Sequence, residues 1–161
     1  MITTVLIERH QRFANQNLID DIANAVFGNV EQANFSEEFV PEAGRVPNPK
    51  KRNFANFLLN GPKLLWAIQY DDKTVGFIII QDMPYPNAVG ISINSDYSGK
   101  GIASEAFKQI KSNSRVVFPL FGYTSVRNIK AQSLMEKLGF VKQSEEINFC
   151  GENSVKYKLE L

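Results

Sequence analysis

The sequence predicts an α+β fold in one domain: a mixed, mostly antiparallel sheet flanked by helices. Three observations carry that reading. Helical spacing dominates the first third, strand-like runs meander from Leu64 onward, and helix then alternates with strand toward the C-terminus. A length of 161 residues suits a single domain with its own core.

Each element can be justified in order. Ile2 to Ile7 reads as a first strand. Ile19, Ile22, Ala23, Val26 and Phe27 then share one face at helical spacing, and Gly28 closes that helix. Residues 29–52 turn from acidic to Pro- and Gly-containing to basic, which predicts a long loop or a loosely helical lid. A short helix from Asn53 to Asn60 stops at Gly61-Pro62. LLWAIQY and TVGFIIIQ flank Asp71-Asp72-Lys73, a tight hairpin connection, and AVGISIN (88–94) follows a Pro-rich turn as a third strand. A helix opens after residue 98, a strand runs through LFGYTSV (120–126), and a helix spans Asn128 to Leu138. The chain ends in a hairpin, FVKQSEEINF and SVKYKLEL, around Gly151-Glu152-Asn153.

Composition excludes several classes of function. With a net charge of +1, nothing argues for a nucleic-acid partner, and Pro49-Lys50-Lys51-Arg52 reads as solvated surface. The single cysteine, Cys150, forms no internal disulfide and reads as a small buried hydrophobe. The single histidine, His10, lies outside every motif, so no metal is expected. The N-terminus lacks the apolar core of a signal peptide, and no apolar run approaches the ~18 residues that span a bilayer. A cytoplasmic protein without a membrane partner is expected. Glu37, Glu38 and Glu42 read as a solvated acidic face, with contact to an amine as the functional alternative.

The stretch that carries chemistry is SGKGIASEAFKQI, residues 98–110. Small residues around a lysine, opening a helix, put unpaired amides and the positive dipole end before an anion. A nucleoside-triphosphate loop needs Gly where this chain has Asn94, and Gly-Lys-Ser/Thr where Gly101 follows Lys100. A dinucleotide fingerprint needs a third Gly and an early position, and this stretch reads G-x-G-x-x-S two thirds along the chain. The third pattern is the coenzyme A turn, Gln/Arg-x-x-Gly-x-Gly/Ala between strand and helix. Here it reads Ser98-Gly99-Lys100-Gly101-Ile102-Ala103. A second signature follows at 120–140, LFGYTSVRNIKAQSLMEKLGF: a strand, an Asn, a helix, then Glu-Lys-x-Gly-Phe.

With these two motifs the sequence resembles the GNAT superfamily of acyl-coenzyme-A-dependent N-acyltransferases, with a flavour of the ribosomal-protein N-terminal acetyltransferase branch. The resemblance covers residues 64–161, a coenzyme-binding core. Residues 1–63 match only in being helical, as a variable acceptor-binding region would, and 1–161 form one N-acetyltransferase domain. The resemblance implies a sheet whose central strands splay and hold acetyl-CoA as co-substrate. It implies that the backbone of Ile91, Ser92 and Ile93 pairs with the pantetheine amides, and that Ser98, Gly99, Lys100, Gly101, Ile102, Ala103 and Ser104 cradle the pyrophosphate. Asn128 would bond the coenzyme arm. The implied partners are acetyl-CoA and an amine acceptor, with room for a homodimer.

Plainer readings stand beside these. Gly99 and Gly101 suit a tight strand–helix turn, Lys100 a solvated flank, and Ser98 and Asn128 helix N-caps. Ser98 also departs from the family's Arg or Gln.

The catalytic groups are not assigned. Many relatives carry a tyrosine acid seven residues after the Asn, and that position is Met135, on an apolar helix face with Ala131, Leu134 and Leu138. Ala131 stands where some relatives have a serine. Ser133 and Tyr123 are the nearby hydroxyls, and no acidic residue lies between Asp82 and Asp96, where relatives carry a strand carboxylate. Without a strong base, the amine's own pKa decides. Deprotonating a lysine at pH 7 costs about 4.6 kcal/mol, against roughly 1–1.4 for an α-amine. The expected reaction is acetyl transfer to a protein N-terminus or small amine by direct attack; the alternative is a non-catalytic acyl-CoA-binding module.

Overall fold

Seven strands form one sheet in the computed structural model, which describes residues 1–31, 51–148 and 151–161. They are β1 (Ile2–Leu6), β2 (Leu64–Tyr70), β3 (Lys73–Gln81), β4 (Ala88–Ile93), β5 (Leu120–Ser125), β6 (Val141–Ile147) and β7 (Asn153–Leu159). Four helices are described: α1 (Gln16–Glu31), α2 (Lys51–Asn60), α3 (Ile102–Lys111) and α4 (Ile129–Lys137). The strand order is β1-β2-β3-β4-β5-β7-β6, with every neighbouring pair antiparallel except β4 and β5. The mixed sheet expected from the sequence is present.

Strand periodicity divides the core between two faces. Trp66, Ile68, Ile78, Ile80 and Val89 point one way, against Ile102, Phe107 and Ile110 of α3 and Met135 of α4. Leu65, Ala67, Phe77 and Ile79 point the other way, against Ile19, Ile22 and Val26 of α1 and Phe54 and Leu58 of α2. Burial on both sides explains why β2 and β3 read as unbroken apolar runs rather than alternating ones. Their hairpin turns at Asp71 and Asp72, both at positive φ (48° and 66°), the backbone that two-residue connections require.

Element boundaries differ from expectation in two places. Helix α1 does not close at Gly28 but continues to Glu31, so residues 29–31 belong to it and not to a loop. A glycine inside a helix costs only about 1 kcal/mol against alanine, and the packed face of α1 outweighs that. Helix α2 starts at Lys51, two residues before the expected start at Asn53. The rest of the expected lid, with Glu37, Glu38 and Glu42, lies outside the described residues, as does Cys150. His10 lies in a short 3-10 turn, Arg9–Gln11, and is exposed.

The same turn leads to a buried arginine. Arg12 is fully buried and donates to the carbonyls of Leu58 and Lys63, while Arg9 donates to that of Asn60. Two guanidiniums thus occupy the C-terminal end of α2, where unpaired carbonyls and the negative dipole end favour cations. Burial, with Arg9 beside it, lowers the Arg12 pKa to about 10, which still leaves it charged at neutral pH. No described helix is long and apolar enough to cross a membrane.

Candidate functional site

The site begins where β4 and β5 part. They pair in parallel at one position only, Ala88 with Phe121. Asn87 fixes that vertex: its carbonyl accepts from Phe121 N (3.0 Å) and its side chain donates to Pro119 O (2.7 Å). Beyond it, β4 stays with β3 and β5 with β7, so the two strands diverge. Beyond Ala88 and Phe121 the two facing edges do not pair with each other, and the gap between them is wide enough at its far end to be part of a cavity.

At the wide end of this splay, the chain makes a 3-10 turn (Ser95–Tyr97) and enters α3 through Gly101. Gly99 and Gly101 have φ of 77° and 74°, the left-handed region where a side chain is strained. A Cβ at either would meet no protein atom within 4 Å, so the demand for glycine is conformational rather than steric. The first helical bond runs from Glu105 N to Gly101 O. The amides of Ile102, Ala103 and Ser104 therefore have no partner within the helix and face outward with its positive end.

The second wall is α4. Asn128 caps it, accepting from Ala131 N at 3.0 Å. Gln132 ties the helix to the end of β5 by donating to the carbonyls of Ser125 (3.2 Å) and Val126 (2.9 Å). Lys130, Leu134 and Lys137 recur at i, i+4 and i+7 and face the same space as the turn.

Between these parts lies a cavity of about 380 Å³, within the range of small-molecule sites. It is lined by Ile91, Ser92 and Ile93, by the turn and first residues of α3, and by Asn128. Every residue singled out for coenzyme binding is there except Lys100. Its ammonium lies instead 5.6 Å from the centre of the Tyr97 ring, which Lys73 also approaches, at 5.7 Å. The aromatic face holds both cations. Ser98 is not the N-cap of α3, a place that Gly101 takes; its hydroxyl donates to Ser95 O at 2.9 Å and closes the 3-10 turn. Asn128 is both cap and cavity wall.

Sequence reasoning missed Tyr97, Lys130 and Lys137, which also line the cavity. The signal for the lysines was available, since both fall on the helix face that Asn128 begins. Neither makes an ion pair with a described carboxylate, and among the described residues no acidic one lines the cavity. The wall is thus apolar along β4 and positive at its outer rim.

The hydroxyls near the second motif are elsewhere. Tyr123 is buried on the α1 side of the sheet, stacked on Tyr85 at 4.1 Å, and Ser133 is exposed. Met135 is 6% exposed and packs in the core. Its sulfur lies 2.6 Å from where a Cβ on Gly122 would stand, so that glycine makes room for it. Among the described residues, no three His, Cys, Asp or Glu side chains gather as a metal site would require.

Residues 17–141 match the family model described as an acetyltransferase (GNAT) domain. Solved structures agree in fold along the whole chain. An acetyltransferase from Thermus thermophilus is 12% identical over 100% of this chain and 97% of its own, with a TM-score of 0.64. The ribosomal-protein-S5-alanine acetyltransferase from Vibrio fischeri is 20% identical over 99% and 92%, with a TM-score of 0.64. The microcin C7 self-immunity acetyltransferase, solved with acetyl-CoA and AMP, is 18% identical over 99% and 92%, with a TM-score of 0.62. At these identities the likeness is one of fold. Among curated protein sequences no match was found.

Proposed function

The chain belongs to the GNAT acetyltransferase family, and on that premise we propose that it is a cytoplasmic enzyme acetylating the α-amine of a peptide or protein, or a small amine of similar basicity. The observation that carries the reading is the cavity itself. It joins diverging strand edges, a glycine turn with outward amides, and two lysines without carboxylate partners among the described residues.

Acetyl-CoA fits these parts in order. The amides of residues 102–104, at a positive helix end, suit the pyrophosphate. Lys130 and Lys137 suit the remaining phosphate charge, which compensates for Ser98 standing where relatives have Arg or Gln. The edge of β4 from Ile91 to Ile93 offers main-chain donors and acceptors to the two pantetheine amides. The thioester supplies an activated acyl group. The amine nitrogen attacks its carbonyl carbon, the carbon–sulfur bond breaks, and the departing thiolate takes up a proton while the new amide loses one.

The described residues at the cavity offer little for that proton work. Among them the titratable side chains are Tyr97, Lys130 and Lys137, and none is a carboxylate or histidine. Proton removal then falls mainly on the acceptor. The difference of roughly 3 kcal/mol between lysine and α-amine at neutral pH selects the latter. The V. fischeri neighbour's name, with a ribosomal-protein alanine as acceptor, supports the same class. The acceptor is assigned to residues 1–63, whose described helices cover the opposite side of the sheet.

The test is to mix the protein with acetyl-CoA and a panel of amines and follow thiol release. Release with peptides bearing a free N-terminus is expected. Binding of acetyl-CoA without release to any amine would reduce the protein to a non-catalytic coenzyme-binding module.

A further inference from the structure

Asn94 lies between β4 and the coenzyme turn, and all four of its hydrogen-bonding groups are engaged. Its main-chain N–H donates to Val75 O (2.7 Å) and its carbonyl accepts from Tyr97 N (2.9 Å). Its side-chain Oδ1 accepts from Asp96 N (2.9 Å), and its Nδ2 donates to Ala25 O (2.6 Å). The second and third bonds are local and shape the turn, while the first ties its start to β3. The fourth crosses 69 positions of sequence to the second half of α1.

The two arms of this one side chain serve different bodies. Oδ1 caps the 3-10 turn Ser95–Tyr97, and that turn leads directly into Ser98, Gly99 and Gly101, which line the cavity. Nδ2 holds a carbonyl of the helix that packs against β3 and β4 on the other face of the sheet. A planar amide with both ends bonded is a short, stiff link. A shift of the turn is therefore passed to α1 rather than lost in a flexible side chain.

We propose that Asn94 is a positioning residue that sets the coenzyme turn and couples it to α1, so that coenzyme binding orders the second half of that helix. The inference rests on the assignment of acetyl-CoA to the cavity. Coupling through a shared bonded element raises the protection of one site when the other is filled.

Two substitutions separate the arms. In Asn94→Ser the hydroxyl still caps the Asp96 N–H but is too short to reach Ala25, and Asn94→Ala loses both. Calorimetry with acetyl-CoA and hydrogen exchange of α1, with and without acetyl-CoA, are the two readouts. In the unmodified protein, acetyl-CoA slows exchange of amides 24–31. Asn94→Ser binds within about twofold of the unmodified protein, because Ser caps as well as Asn, yet loses that protection. Asn94→Ala binds about fivefold to tenfold more weakly, as loss of a cap predicts, and also lacks the protection. Protection that survives in Asn94→Ser would overturn the coupling, as would its absence in the unmodified protein. Affinity unchanged in Asn94→Ala would overturn the positioning role. Failure of the unmodified, folded protein to bind acetyl-CoA at all is a different result and strikes the assignment of the cavity.

Discussion

The two faces of the sheet are filled by similar apolar residues yet differ in what remains to do chemistry. On the α3 and α4 face the working parts are main chain: two strand edges parted beyond one pair, and three amides at a helix start. On the α1 and α2 face no such splay or glycine turn is seen among the described residues, and at the end of α2 Arg9 and Arg12 occupy the carbonyls of Leu58, Asn60 and Lys63. A ligand on the first face meets backbone held in special conformations; a ligand on the second must be read by side chains. The first kind of site demands glycine at positive φ and a capping Asn, so it leaves a short signature in sequence. The second demands only particular side chains at scattered positions and leaves none.

Breaking the backbone site should give the largest effect. Gly101→Asp places a negative charge at the mouth of the turn. At about 5 Å and an effective dielectric near 20, two unit charges repel by roughly 3 kcal/mol, on the order of a hundredfold in affinity. Asp tolerates the left-handed backbone better than most residues, so the fold should persist. Calorimetric titration with acetyl-CoA checks this, and unchanged affinity would move the phosphate site elsewhere.

The core beside the cavity should respond in stability rather than in binding. Gly122→Ala drives a methyl against the Met135 sulfur and should cost about 1–3 kcal/mol in denaturant unfolding. Met135→Leu keeps the volume and should cost under about 1.5 kcal/mol, with turnover little changed. A thousandfold loss of turnover in Met135→Leu at unchanged stability would make this residue part of the chemistry.

The smallest effects belong to the cations, and they sharpen the contrast between main chain and side chain. Lys130→Gln and Lys137→Gln should each weaken acetyl-CoA binding by about threefold to fivefold at 0.1 M salt, and much less at 1 M. Lys100→Gln should do less than either, since its ammonium rests on Tyr97 outside the cavity wall. The reverse order would return Lys100 to the phosphate.

The same contrast explains what the sequence made legible. Residues 91–93, 98–104 and 128 were singled out through a glycine turn, a capping Asn and the family that these two motifs resemble, marks that need no tertiary contact to be read. Lys130 and Lys137 were passed over because surface lysines recur on any solvated helix, and only the orientation of α4 against the turn sets these two apart. Gly28 misled because a glycine reads as a helix stop, whereas packing of α1 on the sheet carries the helix through it. Asn94 entered only as a mismatch to a phosphate loop, and its bond to Ala25 spans too much sequence to be foreseen.

The central claim is that the cavity supplies acetyl-CoA while the acceptor's own pKa governs its deprotonation. The direct test is a pH profile of kcat/KM for the acceptor at saturating acetyl-CoA. It compares peptides with a free N-terminus against the same peptides blocked there but carrying lysine. The predicted result is acetylation of the α-amine, rising tenfold per pH unit and levelling off near the amine's pKa of about 8. Acetylation of lysine at neutral pH, governed by an enzyme group with a kinetic pKa near 6–7, about that of an ordinary histidine, would contradict it.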